Sequence, residues 1–249
     1  MRRVFILLFL AANATICPAL DYQYDQRVQV PSNYADPFVH KENTSSLVKN
    51  TAFNYMNELI GWCSYQKAAI LIDIITTYKP EKIVEIGVWG GKSLVPMACA
   101  LKANKKGKIY GIDPWNPVDS LEWVMNSDNI NYWSRADYKG VLNHLTSMIE
   151  KFELRDQIEL IRTTSAQAPE IADLDILHID GNHSDVTTYL DVTKWGPLVK
   201  SGGWIIFDDM TWYENGKYTA ARAVGWLDEH CIRFAQIRED CDWGIWFKP

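Results

Sequence analysis

The stretch Ile83-Val84-Glu85-Ile86-Gly87-Val88-Trp89-Gly90-Gly91-Lys92-Ser93 decides how the rest of the chain is read. An apolar, β-branched run closes around an acid, glycines follow at once, and a helical pattern opens near Lys92, which reads as strand, tight turn and helix. Glycines let backbone approach a ligand closely, and a helix N-terminus offers N–H groups that have no partner inside the helix. Here Glu85 precedes the glycines, and the G-x-G-x-x-G spacing of dinucleotide enzymes is not met.

Downstream, short apolar runs alternate with helical segments. The expected order is a helix over Lys92 to Ala103, a strand over Lys108 to Ile112, a helix over Tyr138 to Phe152 and a strand over Ile158 to Ile161. A strand over Leu174 to Ile179, a helix over Asp185 to Val199 and a strand over Trp204 to Phe207 follow. Five strands joined by helices imply a parallel sheet with right-handed crossovers. A helix from Thr219 to His230 then leads into Ile232 to Ile237 and Trp243 to Phe247, joined by the short turn Arg238 to Asp242. The fold class expected is therefore α/β: a doubly wound, seven-stranded sheet, mostly parallel, with an antiparallel strand from a C-terminal hairpin.

Upstream, helical spacing from about Ser46 to Tyr78 predicts two helices, ended by Pro80. Residues 1–20 carry Arg2-Arg3, the apolar run Val4 to Ala12 and the small-residue segment before Ala19, which is the pattern of a signal peptide. Residues 21–60 are read as an N-terminal arm and helix, and 61–249 as the catalytic domain. Export to the periplasm or outside is expected if the leader is cleaved, and a cytoplasmic location otherwise. Cys63, Cys99, Cys231 and Cys241 show no CxxC or metal-like spacing.

The 249 residues carry a net charge of −6 and no lysine or arginine stripe longer than Lys105-Lys106 with Lys108. Nucleic acid is thereby an unpromising partner. The apolar leader is too short for an ordinary membrane span. A small-molecule acceptor is the expected partner, and homo-oligomerisation is left open.

Glu85, Gly87 and Gly91 fall on the first motif of the class I S-adenosylmethionine-dependent methyltransferases, which the chain resembles from about Gly61 to Pro249. The resemblance implies that Gly87 and Gly91 flank the methionine part of the donor, with Gly90 and Ser93 shaping the same turn. Asp113, in Gly111-Ile112-Asp113-Pro114-Trp115, takes the ribose-binding place, and Ser165 in Thr164-Ser165-Ala166 the adenine-contacting one. Trp115 either stacks on adenine or packs.

Two further motifs stand at neighbouring strand ends: His178-Ile179-Asp180-Gly181-Asn182-His183-Ser184 and Ile206-Phe207-Asp208-Asp209. Three carboxylates converging there would repel one another and raise each other's pKa, which a hard divalent cation relieves. An oxygen-only set points to Mg²⁺, with Ca²⁺ or Mn²⁺ as variants, so Asp180, Asp208 and Asp209 are the expected metal ligands. The arrangement is similar to that of catechol and macrolide-sugar O-methyltransferases, and His183 matches the place of the proton-removing lysine in the former. His183, or Asp180 in its stead, is the expected base. His178, mid-strand between Leu177 and Ile179, reads as a hydrogen-bonded core histidine. The tryptophan-rich stretch with Trp123, Tyr132 and Trp133 reads as an acceptor pocket or a lid. The function expected is methyl transfer from S-adenosylmethionine to a small-molecule hydroxyl with Mg²⁺ assistance. A nicotinamide-dependent oxidoreductase and a secreted, non-catalytic binding protein on the same fold remain the alternatives.

Overall fold

Side chains alternate across each strand, and both faces of the central strands are buried here. In a computed structural model, which describes residues 44–123 and 127–249, the strands are β1 (Lys82–Ile86), β2 (Lys108–Ile112), β3 (Ile158–Ile161), β4 (Leu174–Ile179), β5 (Val199–Phe207), β8 (Ile232–Ile237) and β9 (Trp243–Phe247). They form one sheet in the order β3-β2-β1-β4-β5-β9-β8, and a separate two-stranded pair joins β6 (Tyr213–Glu214) to β7 (Lys217–Tyr218). Pairing is parallel from β3 through β5, and β9 runs antiparallel to both β5 and β8. The expected topology is thus the one found. The leader and most of the arm lie outside the described residues, while Thr44–Pro249 forms one compact unit.

Val84 and Ile86, Leu177 and Ile179, and Ile205 and Phe207 pack into one apolar cluster. Val192 and Trp195 from α7 (Asp185–Trp195) and Ala223 and Leu227 from α8 (Ala221–His230) cover it. The alternate positions include Glu85 in β1 and His178 in β4, which stand opposite each other in register. A polar row therefore crosses an otherwise apolar sheet.

Before the sheet stand α1 (Thr44–Met56) and α2 (Tyr65–Tyr78), and both pack against α3 (Leu94–Asn104), which follows β1. Ser64 caps α2 by accepting from the Lys67 backbone N–H at 2.9 Å, and Lys79 ends it in the left-handed conformation ahead of Pro80. Short helices α4 (Pro117–Ser120) and α5 (Ser127–Trp133) fill the stretch before α6 (Tyr138–Lys151). The four cysteines among the described residues are free thiols.

Candidate functional site

The sheet order reverses at β1, with β2 on one side and β4 on the other, and the crevice at such a switch point is where open α/β sheets bind ligands. Backbone hydrogen bonds continue past the strand ends: Gly87 N–H to Ile112 O (2.9 Å), Asp180 N–H to Ile86 O (2.8 Å) and Asp208 N–H to Ile179 O (2.9 Å). A cavity of about 1220 Å³ opens over these ends. Gly87, Ser93, Asp113 and Ser165 line it, and so do Asp180, His183, Asp208 and Asp209.

Asp113 holds the glycine turn together. Its Oδ2 accepts from the Val88 and Trp89 N–H groups at 3.1 and 2.9 Å, and its Oδ1 from Trp115 N–H at 2.8 Å. A carboxylate accepts at about four lone-pair positions, so acceptor capacity remains for a ligand hydroxyl. Burial pushes the Asp113 carboxyl up to about 6, against the pull of those three N–H groups. Gly87 sits at φ +85°, where a Cβ would run into the Asp180 backbone oxygen, so only glycine lets the ends of β1 and β4 meet.

Glu85, Gly90 and Gly91 are not among the residues that line the cavity. A Cβ on Gly90 would meet the Ile60 backbone, and one on Gly91, at φ +80°, the Leu145 side chain. A side chain at either position would therefore collide with a neighbouring element. Glu85 is wholly buried, accepts from the Ser93 hydroxyl and lies 3.0 Å from His178 Nδ1. Ser165 donates to Asp191 Oδ1 at 2.5 Å, and burial pushes the Asp191 carboxyl up to about 7. Trp115 packs: it is buried, and its indole N–H donates to Trp89 O at 2.9 Å. The Trp89 indole N–H, beside the cavity, is buried without a partner.

Beside Asp180 and Asp208 the deciding residue is one the sequence reading passed over. Lys67 on α2 is only 5% exposed; its ammonium pairs with Asp208 and lies 3.4 Å from Asp180 Oδ2. His178 Nε2 lies 3.0 Å from the same Asp208 Oδ2, completing the row Ser93–Glu85–His178–Asp208–Lys67–Asp180. Burial opposes charge on Lys67, but Asp180 and Asp208 outweigh it and hold the ammonium above the usual lysine range. Burial and Lys67 likewise press His178 downward, while Asp208 and Glu85 together hold it up to about 9. For Asp208, burial is overcome by Lys67 and His178, and its carboxyl stays below the usual range. Asp180 goes the other way, raised by burial and by Asp208.

The expected metal trio is not brought together. Asp209, in the left-handed region at φ +54°, lies with its Oδ2 3.3 Å from His183 Nε2. The set whose ligand atoms lie within 4.8 Å of one another is His178, Asp180 and Asp208. One observation suits a cation there: Asp208 Oδ1 is buried and unpaired. The rest suits Mg²⁺ poorly, since that ion wants near-octahedral oxygen ligands, whereas both ring nitrogens of His178 are engaged and Lys67 pairs with both carboxylates. The residues as arranged do not fit a resident Mg²⁺.

A family model described as a methyltransferase domain matches residues 84–210, about half the chain. The chain belongs to this methyltransferase family. Among solved structures, the methyltransferase is similar to SAH-bound PaMTH1 of Podospora anserina at 12% identity, TM-score 0.57, over 81% of this chain and 88% of that one. It is similar to the O-methyltransferase NovP at 19% identity and TM-score 0.57, over 82% and 96%. An O-methyltransferase from Bacillus cereus in complex with SAH aligns at 15% identity and TM-score 0.53, over 86% and 94%. At such identities the likeness is one of fold. No protein of curated function matches the chain.

Over the mouth of the methyltransferase cavity, Trp133 meets Trp89 edge-on at 5.0 Å, and Trp62 meets Tyr132 and Trp133 at 5.8 and 6.0 Å. These rings line the cavity, as does Trp123. Trp212 adds a ring 4.4 Å from that of His183. Trp62 and Lys67 both come from the segment ahead of β1.

Proposed function

We propose that this methyltransferase moves a methyl group from S-adenosylmethionine to a hydroxyl of a small-molecule acceptor. The observation that carries the reading is the convergence of the Gly87 turn and the Asp113 carboxylate on one large cavity at the switch point of the sheet. PaMTH1 and the Bacillus cereus enzyme hold SAH on the same fold, which supports the donor. The unpartnered Trp89 indole N–H beside the cavity suits a polar ligand at that place.

When bound, the donor supplies an activated methyl on its sulfonium. The chain's own residues then have three tasks. The Gly87 turn and Asp113 hold and orient, aromatic rings at the mouth exclude water, and His183 takes the proton that the acceptor hydroxyl loses as its oxygen gains the methyl. Asp209 Oδ2 lies 3.3 Å from His183 Nε2, and a neutral ring that donates Nε2–H to it keeps Nδ1 as the accepting nitrogen. Asp209 thus takes the part of orienting the base, and no step is routed through a metal.

Calorimetric titration with SAH and, separately, NAD tests the donor. Binding of SAH alone is expected, weakened in Asp113→Ala. Absence of SAH binding, or preference for NAD, refutes the reading. Incubation with methyl-labelled donor and hydroxyl and amine acceptors then reads the acceptor class, and a protein that binds SAH yet labels nothing fits the non-catalytic alternative.

A further inference from the structure

We propose that Lys67 is the built-in cation of the methyl-transfer site, filling with an ammonium the place that a divalent ion takes in metal-dependent O-methyltransferases; the proposal rests on the methyl-transfer reading above. The geometry is that of a filled site. Lys67 reaches from the first turn of α2 to the carboxyl ends of β4 and β5, where it pairs with Asp208 and Asp180. Two cationic side chains, Lys67 and His178, are set among the three acids Glu85, Asp208 and Asp180. A divalent ion added to this set would face an ammonium at contact distance in a buried place, and their repulsion is large where water screens poorly. The row also ties the site to the donor turn, because His178 bridges Asp208 to Glu85, and Glu85 accepts from Ser93 beside Gly91.

An ammonium has three N–H donors. Two go to Asp208 and Asp180, and the third is left for an acceptor oxygen in the cavity that Lys67 lines. There it stabilises negative charge as His183 removes the proton, the electrostatic part that a metal would play.

Mn²⁺ is the probe, read by electron paramagnetic resonance and by thermal unfolding with and without MnCl₂. The wild-type protein is expected to leave Mn²⁺ free and to melt at the same temperature with and without the ion. Lys67→Ala exposes Asp180 and Asp208 to one another, so it is expected to melt lower by roughly 6 °C or more and to recover as it binds Mn²⁺. Lys67→Arg keeps the charge and is expected to behave as wild type, which keeps the test decisive if Lys67→Ala fails to fold. Stoichiometric Mn²⁺ binding by the wild type that is lost in Asp208→Asn would overturn the proposal. So would a Lys67→Ala protein that melts as the wild type without any ion. SAH titration of the same samples reports the donor separately: loss of SAH binding with the Mn²⁺ pattern intact sinks methyl transfer, and the reverse sinks the cation.

Discussion

Replacing Asp208 by Asn changes stability with a sign that depends on what faces the carboxylate. Were Asp180, Asp208 and Asp209 a bare acidic cluster awaiting a metal, removing one charge in the absence of metal would relieve repulsion and raise the melting temperature. The structure predicts the opposite, because the Asp208 side chain is 5% exposed and is the shared partner of Lys67 and His178. Removing one member of a buried pair costs about 3–5 kcal/mol, since it leaves the remaining charge uncompensated. For a domain of this size each kcal/mol corresponds to about 2–4 °C, so the midpoint is expected to fall by roughly 6–20 °C. Circular dichroism melts at pH 7 in EDTA read this directly. The pH dependence has a defined sign as well. The Asp208 carboxyl is held below its ordinary value of 3.8, so the stability it confers is present above that pH and lost as the medium turns acid. His178 is raised from 6.5 to about 9, so its contribution is complete below pH 6.5 and lost as pH rises through 9. The gap between wild type and Asp208→Asn should therefore be widest between about pH 4 and 6.5 and narrow on either side. An Asp208→Asn protein that melts at or above the wild-type temperature in EDTA would refute the arrangement.

His183→Ala should lower kcat by about 10²- to 10⁴-fold while SAH affinity stays within twofold, and Asp209→Asn should lower it by a smaller factor; steady-state kinetics with SAH calorimetry check both, and the reverse ranking would remove His183 as base. Asp191 is raised from 3.8 to about 7 by burial, so the folded state holds that proton longer and stability should fall as pH rises from about 4 to 7. Asp191→Asn should flatten that slope and melt above the wild type at pH 8, and an unchanged slope would show that Asp191 titrates normally. Gly87→Ala places a Cβ against the Asp180 backbone oxygen at a positive φ, so loss of SAH binding or of soluble protein is expected. A soluble variant with wild-type SAH affinity would mean that β1 and β4 do not need that approach.

The strands of the parallel sheet were legible because burial on both faces makes each a short apolar run, as in Leu174–Ile179, where every residue is buried. The start of β5 was not. Lys200-Ser201-Gly202-Gly203 has the composition of a turn, yet Val199 pairs with Leu174 before a shift in register, and Lys200 pairs with Asp175 beyond the end of the expected strand. The expected helix from Asp185 to Val199 stops at Trp195 for a related reason. Gly196-Pro197 follows, and a 3₁₀ turn takes the chain into the strand. The two-residue strands β6 and β7 are too short to carry any period.

Strand ends gave away Gly87, Asp113, Asp180 and Asp208, since a residue just past a parallel strand stands at the ligand crevice whatever packs beneath it. What sequence left hidden is the cation. Lys67 lies in the first turn of a capped helix, where a lysine reads as solvated surface, and its partners are 113 and 141 residues away along the chain. A rule within reach would nonetheless have separated the two adjacent acids. Side chains alternate along a strand, so Ile206 shares a face with His178; carried one step past the strand end, the alternation puts Asp208 on that face and Asp209 off it. Asp208 turns to the buried row with Lys67, Asp209 turns to His183, and the same dipeptide supplies the charge-balancing carboxylate and the orienting one.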